Sequence, residues 1–211
     1  MVGLRERYVD ALVDGDPAAA ARIIDAALQD GADVRALYLD VLQPALYEIG
    51  RRWEDAEISI AQEHLATATT QSLMARLAER LGAQPAPRRG RTALVACADG
   101  ELHAVGVRMV ADFLDADGWD VLFVGALAPA VPLADLARER EVDLVALSAA
   151  LSERVPEVHD AVRALRELSP APLIAVGGQA FGGDAGRALA TGADLYATDP
   201  ESLLRQLRER L

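Results

Sequence analysis

Apolar positions in residues 1–82 recur at helical spacing. Ala20, Ile23, Ile24, Ala27 and Leu28 form one stripe. Asp16-Pro17 opens it as an N-cap followed by proline at the first helical position, and Gly31 closes it. A second stripe follows Asp33: Val34, Leu37, Tyr38, Val41, Leu42, Ala45 and Ile49, with a kink predicted at Pro44 and an end at Gly50. Arg51 to Ile58 reads as a connection that carries Trp53 in a loop. Ser59-Ile60-Ala61-Gln62 is a capping box, and the helix it opens runs to about Leu81 and stops at Gly82. With a first helix over Leu4 to Val13, this predicts four helices joined by short loops, a bundle.

The pattern changes after Gly82. Gly-Ala-Gln-Pro-Ala-Pro-Arg-Arg-Gly-Arg is a linker by composition, so the expected domains are 1–82 and 92–211 with a linker at 83–91. Short apolar runs then alternate with amphipathic ones. Strands are expected near Thr92–Cys97, Asp120–Phe123, Leu144–Leu147, Pro172–Ala175 and Leu195–Ala197. Helices are expected near Ala104–Ala116, Val131–Arg140, Val155–Leu168, Gly183–Ala190 and Glu201–Arg210. Apolar strands alternating with helices make a parallel sheet covered on both faces. The fold class is α/β: a four-helix bundle cap followed by a flavodoxin-like, Rossmann-type sheet of five strands. In that strand order the switch point lies between strands one and three, and ligands bind outside the carboxyl ends there. His103 follows strand one and Ser148 strand three, so both should flank one crevice.

Composition narrows the chemistry. The hydrophobic content of 52% suits a packed core, and no apolar run reaches the length of a membrane helix. The amino terminus has no signal-like apolar block, which predicts a cytoplasmic protein without a membrane role. A net charge of −12 without a basic stripe argues against direct nucleic-acid binding. The 21 basic residues are all Arg, so a phosphate-loop lysine, a Schiff-base lysine and the lysine of a receiver domain are all excluded. The single Cys97 lies in a strand and reads as core. His159 reads as a surface residue. There is no nucleophile triad and no general-base pair, which points to a binding and signalling protein rather than an enzyme.

The stretch Ala98-Asp99-Gly100-Glu101-Leu102-His103-Ala104-Val105-Gly106 carries the candidate chemistry. It places an imidazole at the ligand edge, among small residues that let a large flat molecule approach the backbone. Glu101 could hold the ring's other nitrogen and fix its tautomer.

Glu101-Leu102-His103-Ala104-Val105-Gly106 resembles the cobalamin-binding signature Asp-x-His-x-x-Gly, with Glu in place of Asp. Leu147-Ser148-Ala149-Ala150-Leu151-Ser152 and Val176-Gly177-Gly178-Gln179 resemble the two further segments of that domain. Trp53, nine intervening residues, then Glu63-His64 resembles a signature of the CarH/LitR cobalamin photoreceptors. The resemblance covers essentially the whole chain. It implies cobalamin bound base-off, with His103 as the protein ligand to cobalt. The displaced dimethylbenzimidazole tail would pass Ser148, Ala150, Leu151 and Ser152 to Gly177, Gly178 and Gln179, where small side chains keep a slot open. Asp99, Gly100, Leu102, Ala104, Val105 and Gly106 complete the lower site. On the upper side Trp53 would offer an aromatic face and Glu63 acceptors for the adenosyl ribose. His64, rotated about 100° on the helix, would be a neighbour or a subunit contact.

The resemblance implies a stand-alone light sensor. Adenosylcobalamin is the implied form and methylcobalamin the other candidate. Green or near-ultraviolet light would break the cobalt–carbon bond and change domain arrangement, assembly as a homo-oligomer, or binding of a regulatory protein. Two departures stand out: the chain starts directly with the bundle, without the winged DNA-binding domain of well-known members, and Glu54 follows Trp53 where the best-studied type has His. A corrinoid methyl carrier of a methyltransferase system and a cobalamin storage or delivery module remain as alternatives.

Overall fold

A computed structural model of the chain describes residues 1–82 and 86–211. Two compact units divide it, Met1–Ala83 and Gln84–Leu211.

The first unit is helical: α1 (Val2–Val13), α2 (Pro17–Gln29), α3 (Val34–Ala36), a π-helical turn (Leu37–Leu42), α4 (Gln43–Glu54) and α5 (Ile60–Leu81). Since α3, the π turn and α4 run on without a break, this is the expected set of four helices. The Asp16 carboxylate accepts from the amide of Ala19, and that of Asp33 from Arg35, as N-caps do. Leu12, Ile24, Leu37, Val41, Leu42, Ile49, Met74 and Leu77 fill the core. Two buried phenols are satisfied within it: Tyr8 pairs with Thr70 at 2.9 Å, and Tyr38 donates to the carbonyl of Met74. Burial pushes the Tyr8 phenol up to about 12.

The kink expected at Pro44 takes the form of the π turn just ahead of it, where the Gln43 amide donates to the Tyr38 carbonyl five residues back. A proline ring presses on the carbonyl four residues before it, and a widened turn accommodates that.

The expected stop at Gly50 is wrong. Helix α4 continues to Glu54, so Trp53 lies on its last turn and not in a loop. The terminator is Ala56, which adopts the left-handed conformation (φ 58°). Its amide donates to Trp53 O and that of Glu57 to Arg52 O, the paired bonds of a Schellman end. Ion pairs of Arg51 and Arg52 with Glu48, and of Arg51 with Asp55, brace the same turn. At Ser59 the capping box closes as expected, and the Gln62 side chain also donates to Val13 O, tying α5 to the end of α1.

The second unit alternates β1 (Thr92–Cys97), α6 (Val105–Ala116), β2 (Asp120–Gly125), α7 (Ala130–Glu139), β3 (Leu144–Ser148), α8 (Val155–Arg166), β4 (Leu173–Gly177), α9 (Ala185–Leu189), β5 (Leu195–Ala197) and α10 (Pro200–Arg210). The sheet is parallel, in the order β2-β1-β3-β4-β5, the order expected from the sequence. Leu94, Ala96, Val145, Leu147, Ile174 and Val176 share one core with α7 and α8. The alternate residues Ala93, Val95, Leu144, Ala146 and Ala175 are buried too. Two-sided burial does not extend to the edge strand β2. Phe123 and Val124 are exposed there, and Arg108 lies over the Phe123 ring, 5.5 Å from its centroid. No helix among the described residues is long and apolar enough to cross a membrane.

Of the linker expected at 83–91, residues 83–85 lie outside the described ones. Residues 86–91 form a strap on the turn between α6 and β2. The Ala86 amide donates to Ala116 O and the Arg89 amide to Gly118 O. The Asp117 carboxylate, buried at 6% side-chain exposure, pairs with Arg89 at 2.9 Å and with Arg208 of α10 at 2.7 Å. Gly118 has φ +91°, and a Cβ there would lie 2.4 Å from the Pro87 carbonyl oxygen, so glycine is required. Trypsin reads this arrangement directly, because three of the six strap residues are arginines. The native chain should resist cutting after Arg88, Arg89 and Arg91, whereas Asp117→Asn should be cut there about tenfold faster, since local opening exposes protease sites. Equal rates in the two proteins would show that the clamp does not hold the strap.

Candidate functional site

The carboxyl end of β1 is followed by a loop, 98–104, that delivers His103 immediately before α6. The ring is half exposed, while the neighbouring Glu101 carboxylate is almost completely buried, at 52% and 1% side-chain exposure. A buried carboxylate is costly unless its oxygens are bonded. Here Oε1 lies 2.5 Å from His103 Nδ1 and accepts the His103 amide at 2.9 Å. Oε2 accepts the amides of Ala150 at 2.9 Å and Leu151 at 3.2 Å. Burial alone would raise this carboxyl, but the His103 ring and the three amides outweigh it and hold the group down to about 2. An ionised carboxylate only accepts, so the shared proton belongs to Nδ1, and the lone pair of a neutral ring is then on Nε2. That is the arrangement of a metal-ligating histidine backed by a carboxylate. The Cys97 thiol next to the loop is pushed up to about 12, first by burial and then by the Glu101 charge, which makes it the inert core residue its sequence position suggested.

Backbone bonds draw two further loops, those after β3 and β4, to this one. Ala98 N donates to Ser148 O, Ala149 N to Gly177 O, and Ala180 N to Ala149 O. Strand β1 is a direct neighbour of β3, so His103 and Ser148 follow adjacent strands at the same carboxyl edge. Ser148 also pairs with Gly177, which brings in Gly178 and Gln179. The glycines have a different reason from the one sequence suggested. A Cβ on Gly177 would meet Ala197 O at 2.6 Å, and one on Gly178 (φ +103°) would meet Ala149 O at 2.1 Å. Strand ends and loop backbone press on them, so close chain approach, not an open slot, demands the missing side chains. Gly100 (φ +72°) is likewise covered, by the Arg154 guanidinium at 2.7 Å from a would-be Cβ, whereas Gly106 faces open space. Asp99 folds its carboxylate onto the Gly100 amide. Leu102 is exposed, Ala104 caps α6 and Val105 starts it. Ala150 and Leu151 are fixed by Glu101, and Ser152 opens a short 3₁₀ turn through Arg154.

Trp53, Glu63 and His64 belong to the helical unit. Trp53 is 42% exposed. Glu63, on the first turn of α5, accepts from Thr67 Oγ1 at 2.9 Å and lies 2.6 Å from His64 Nδ1. His64 is therefore a hydrogen-bonding neighbour of Glu63 despite the helical offset. His159 is exposed, as expected.

Two residues near His103 escaped the sequence reading. Leu127, in the loop after β2, has φ 56° and donates its amide to Glu101 O at 3.1 Å. Arg154, over Gly100, keeps its Nε buried without a hydrogen-bond partner among the described residues. The rule that ligands meet the carboxyl ends of strands could have flagged Leu127, because it follows β2. Among the described residues no group of three His, Cys, Asp or Glu side chains converges on a metal position. A metal ligated by His103 would thus bring its remaining ligands with it, as a macrocycle does. Leu102, Leu127, Val131 and Leu151, which follow strands β1, β2 and β3, are exposed.

Comparison with known proteins agrees with this geometry. Two families, each described as a B12 binding domain, match residues 4–78 and 91–205. The HTH-type transcriptional repressor CarA of Myxococcus xanthus is 35% identical over 179 residues, 83% of this chain and 58% of that protein. Monomethylamine corrinoid protein 1 of Methanosarcina mazei is 29% identical over 122 residues, 57% of this chain and 56% of that one. The chain thus spans little more than half the length of these relatives. The structure of the Methanosarcina barkeri monomethylamine corrinoid protein superposes with a TM-score of 0.85 at 20% identity, covering 100% of this chain and 99% of that one, a likeness of fold.

The depressed Glu101 carboxyl makes a prediction about acid. Its folded value of about 2 lies below the ordinary 4.5, so its stabilisation is complete above about pH 4.5 and is lost as pH falls toward 2. The shift corresponds to about 3 kcal/mol. Urea unfolding between pH 7 and pH 3 should show this loss, and Glu101→Gln should flatten the slope while costing about 1–3 kcal/mol at neutral pH. An unchanged acid slope in the variant would contradict the assignment.

Proposed function

We propose a function from the premise that this chain belongs to the family of B12 binding domains: it is a light sensor that binds adenosylcobalamin through His103 and signals through a change of assembly. The observation that carries the cofactor reading is the His103 ring, half exposed at the carboxyl edge with its Nδ1 held by a buried carboxylate. Bound adenosylcobalamin would supply visible-light absorption and a photolabile cobalt–carbon bond.

The chain's own residues supply the rest. His103 would hold the cobalt through Nε2, and Glu101 keeps the ring in the tautomer and orientation that ligation needs. Asp99 to Gly106, Ser148, Ala150 to Ser152 and Gly177 to Gln179 form the lower site. Trp53 offers an exposed aromatic face. Glu63, with about four acceptor positions on its carboxylate, can still accept from ribose hydroxyls beside Thr67 and His64. In this reading Trp53 and Glu63 would contact the adenosyl group, and losing those contacts would shift a two-state equilibrium of the chain. The response passes to a homo-oligomeric contact or a regulatory protein partner. The net charge of −12 disfavours direct contact with nucleic acid. The chain itself is then a cytoplasmic binding protein, not a catalyst.

A second reading, a methyl carrier, draws on the likeness to the Methanosarcina mazei monomethylamine corrinoid protein. A methyl group is too small to engage Trp53 and Glu63, which separates the two.

Protein reconstituted in the dark with adenosylcobalamin should change its elution volume on size exclusion and its spectrum after green light. His103→Ala should abolish the ligated spectrum, and Trp53→Ala should weaken adenosylcobalamin retention about tenfold while sparing methylcobalamin. Illumination without any change of assembly, together with equal retention by Trp53→Ala, would favour the carrier and end the sensor reading.

A further inference from the structure

Helices α1 and α4 leave a cavity of about 440 Å³ between them, within the helical unit. That is inside the range of roughly 300–1,000 Å³ usual for small-molecule sites. Arg5, Glu6 and Asp10 line it from α1. Tyr47, Glu48 and the pair Arg51-Arg52 line it from α4.

The charges on the α4 side are already matched. Arg51 and Arg52 both donate to Glu48, and Arg51 also pairs with Asp55. Those two guanidiniums hold the Glu48 carboxyl down to about 2. The charges on the α1 side are not matched. Among the described residues the side chains of Arg5, Glu6 and Asp10 make no hydrogen bond or ion pair.

For Arg5 this is out of keeping with the rest of the chain. Arg52, Arg91, Arg108 and Arg154 are half-buried as it is, and each donates to an oxygen. The other guanidiniums without a partner, those of Arg80, Arg140, Arg187, Arg205 and Arg210, are exposed to water. Arg5 has given up part of its hydration and gained no oxygen for it, which costs free energy. A half-dehydrated cation beside two unpaired carboxylates is completed by a ligand of matching charges. Tyr47 adds a flat apolar surface. Its ring is 47% exposed, and its hydroxyl is steadied by Gln43 Nε2 at 2.9 Å.

We propose that this cavity is a second binding site, and that its ligand is a free aromatic amino acid. Arg5 takes the carboxylate, Glu6 and Asp10 take the ammonium, and Tyr47 stacks on the ring. The unmatched charges decide the class. One cation and two anions repel a nucleotide, give an aromatic acid nothing to donate to the carboxylates, and leave Arg5 unpaired beside an amine. A zwitterion satisfies all three. This site is separate from the loop that carries His103 and does not depend on the cofactor reading.

Titration calorimetry of the unloaded full chain with L-phenylalanine tests it, at low salt so that the charges are not screened. A saturable one-to-one complex is expected. Phenethylamine, which lacks the carboxylate, and 3-phenylpropionate, which lacks the ammonium, should each bind about tenfold more weakly, the worth of one charge-assisted hydrogen bond. Arg5→Gln should weaken L-phenylalanine by the same factor and leave phenethylamine as in the parent, a pattern that misfolding does not produce. Tyr47→Ala should weaken all three ligands. The absence of saturable heat with L-phenylalanine would overturn the proposal, and so would parental affinity in Arg5→Gln. Weakening by Trp53→Ala in place of Arg5→Gln would put the amino acid elsewhere on the bundle and overturn it too.

Discussion

One carboxylate holds the candidate site together. Glu101 is buried where a charge is expensive, and four N–H groups compensate it: one from the imidazole and three from the backbone. Two of those amides belong to the loop after β3, and the glutamate's own carbonyl receives the amide of Leu127 from the loop after β2. The orientation of His103 is therefore not a local property of its loop. It depends on three crossovers that meet only because the sheet runs β2-β1-β3. The strand order puts the loops side by side, and the carboxylate locks them.

Much of this could be read in the chain. Period-2 and period-3.6 patterns located the elements, the alternation fixed a parallel sheet, and strand order plus the carboxyl-edge rule put His103 and Ser148 at one edge of the sheet. The Glu101–His103 bond was foreseeable because a single residue, Leu102, separates carboxylate and ring on one short loop. Its second half, the grip on Ala150 and Leu151, was not, since it spans some fifty positions and depends on which backbone amides point inward. The glycines show the same boundary. Their positions stood out in sequence, but that backbone, and not open space, confronts Gly177 and Gly178 is a tertiary fact.

The misplaced end of α4 and the overlooked Leu127 share a cause. Sequence rules read left-handed turns from glycine and asparagine, because those residues enter them at least cost. Ala56 and Leu127 enter them against preference. At Ala56 the Schellman bonds and the Glu48–Arg51–Arg52 pairs sustain the turn, and the extra helical turn they allow carries Trp53. At Leu127 the bond to Glu101 does so. In both places surrounding structure overrides local propensity next to a candidate binding residue, which is where such conflicts are expected to concentrate.

The glutamate at 101, where the cobalamin signature has aspartate, then gains a physical meaning. Its side chain is one carbon–carbon bond longer, about 1.5 Å. In this fold the carboxylate must accept from the His103 amide and ring on one oxygen and from the amides of 150 and 151 on the other. A shorter arm would have to draw the β3 loop toward β1 or give up one side of that bridge. The longer one spans the two loops, and the same reach that secures the imidazole also fixes the Leu151 backbone. The substitution therefore concerns how firmly the ligand loop is coupled to its neighbour, and the acid–base character of the carboxyl follows from that coupling.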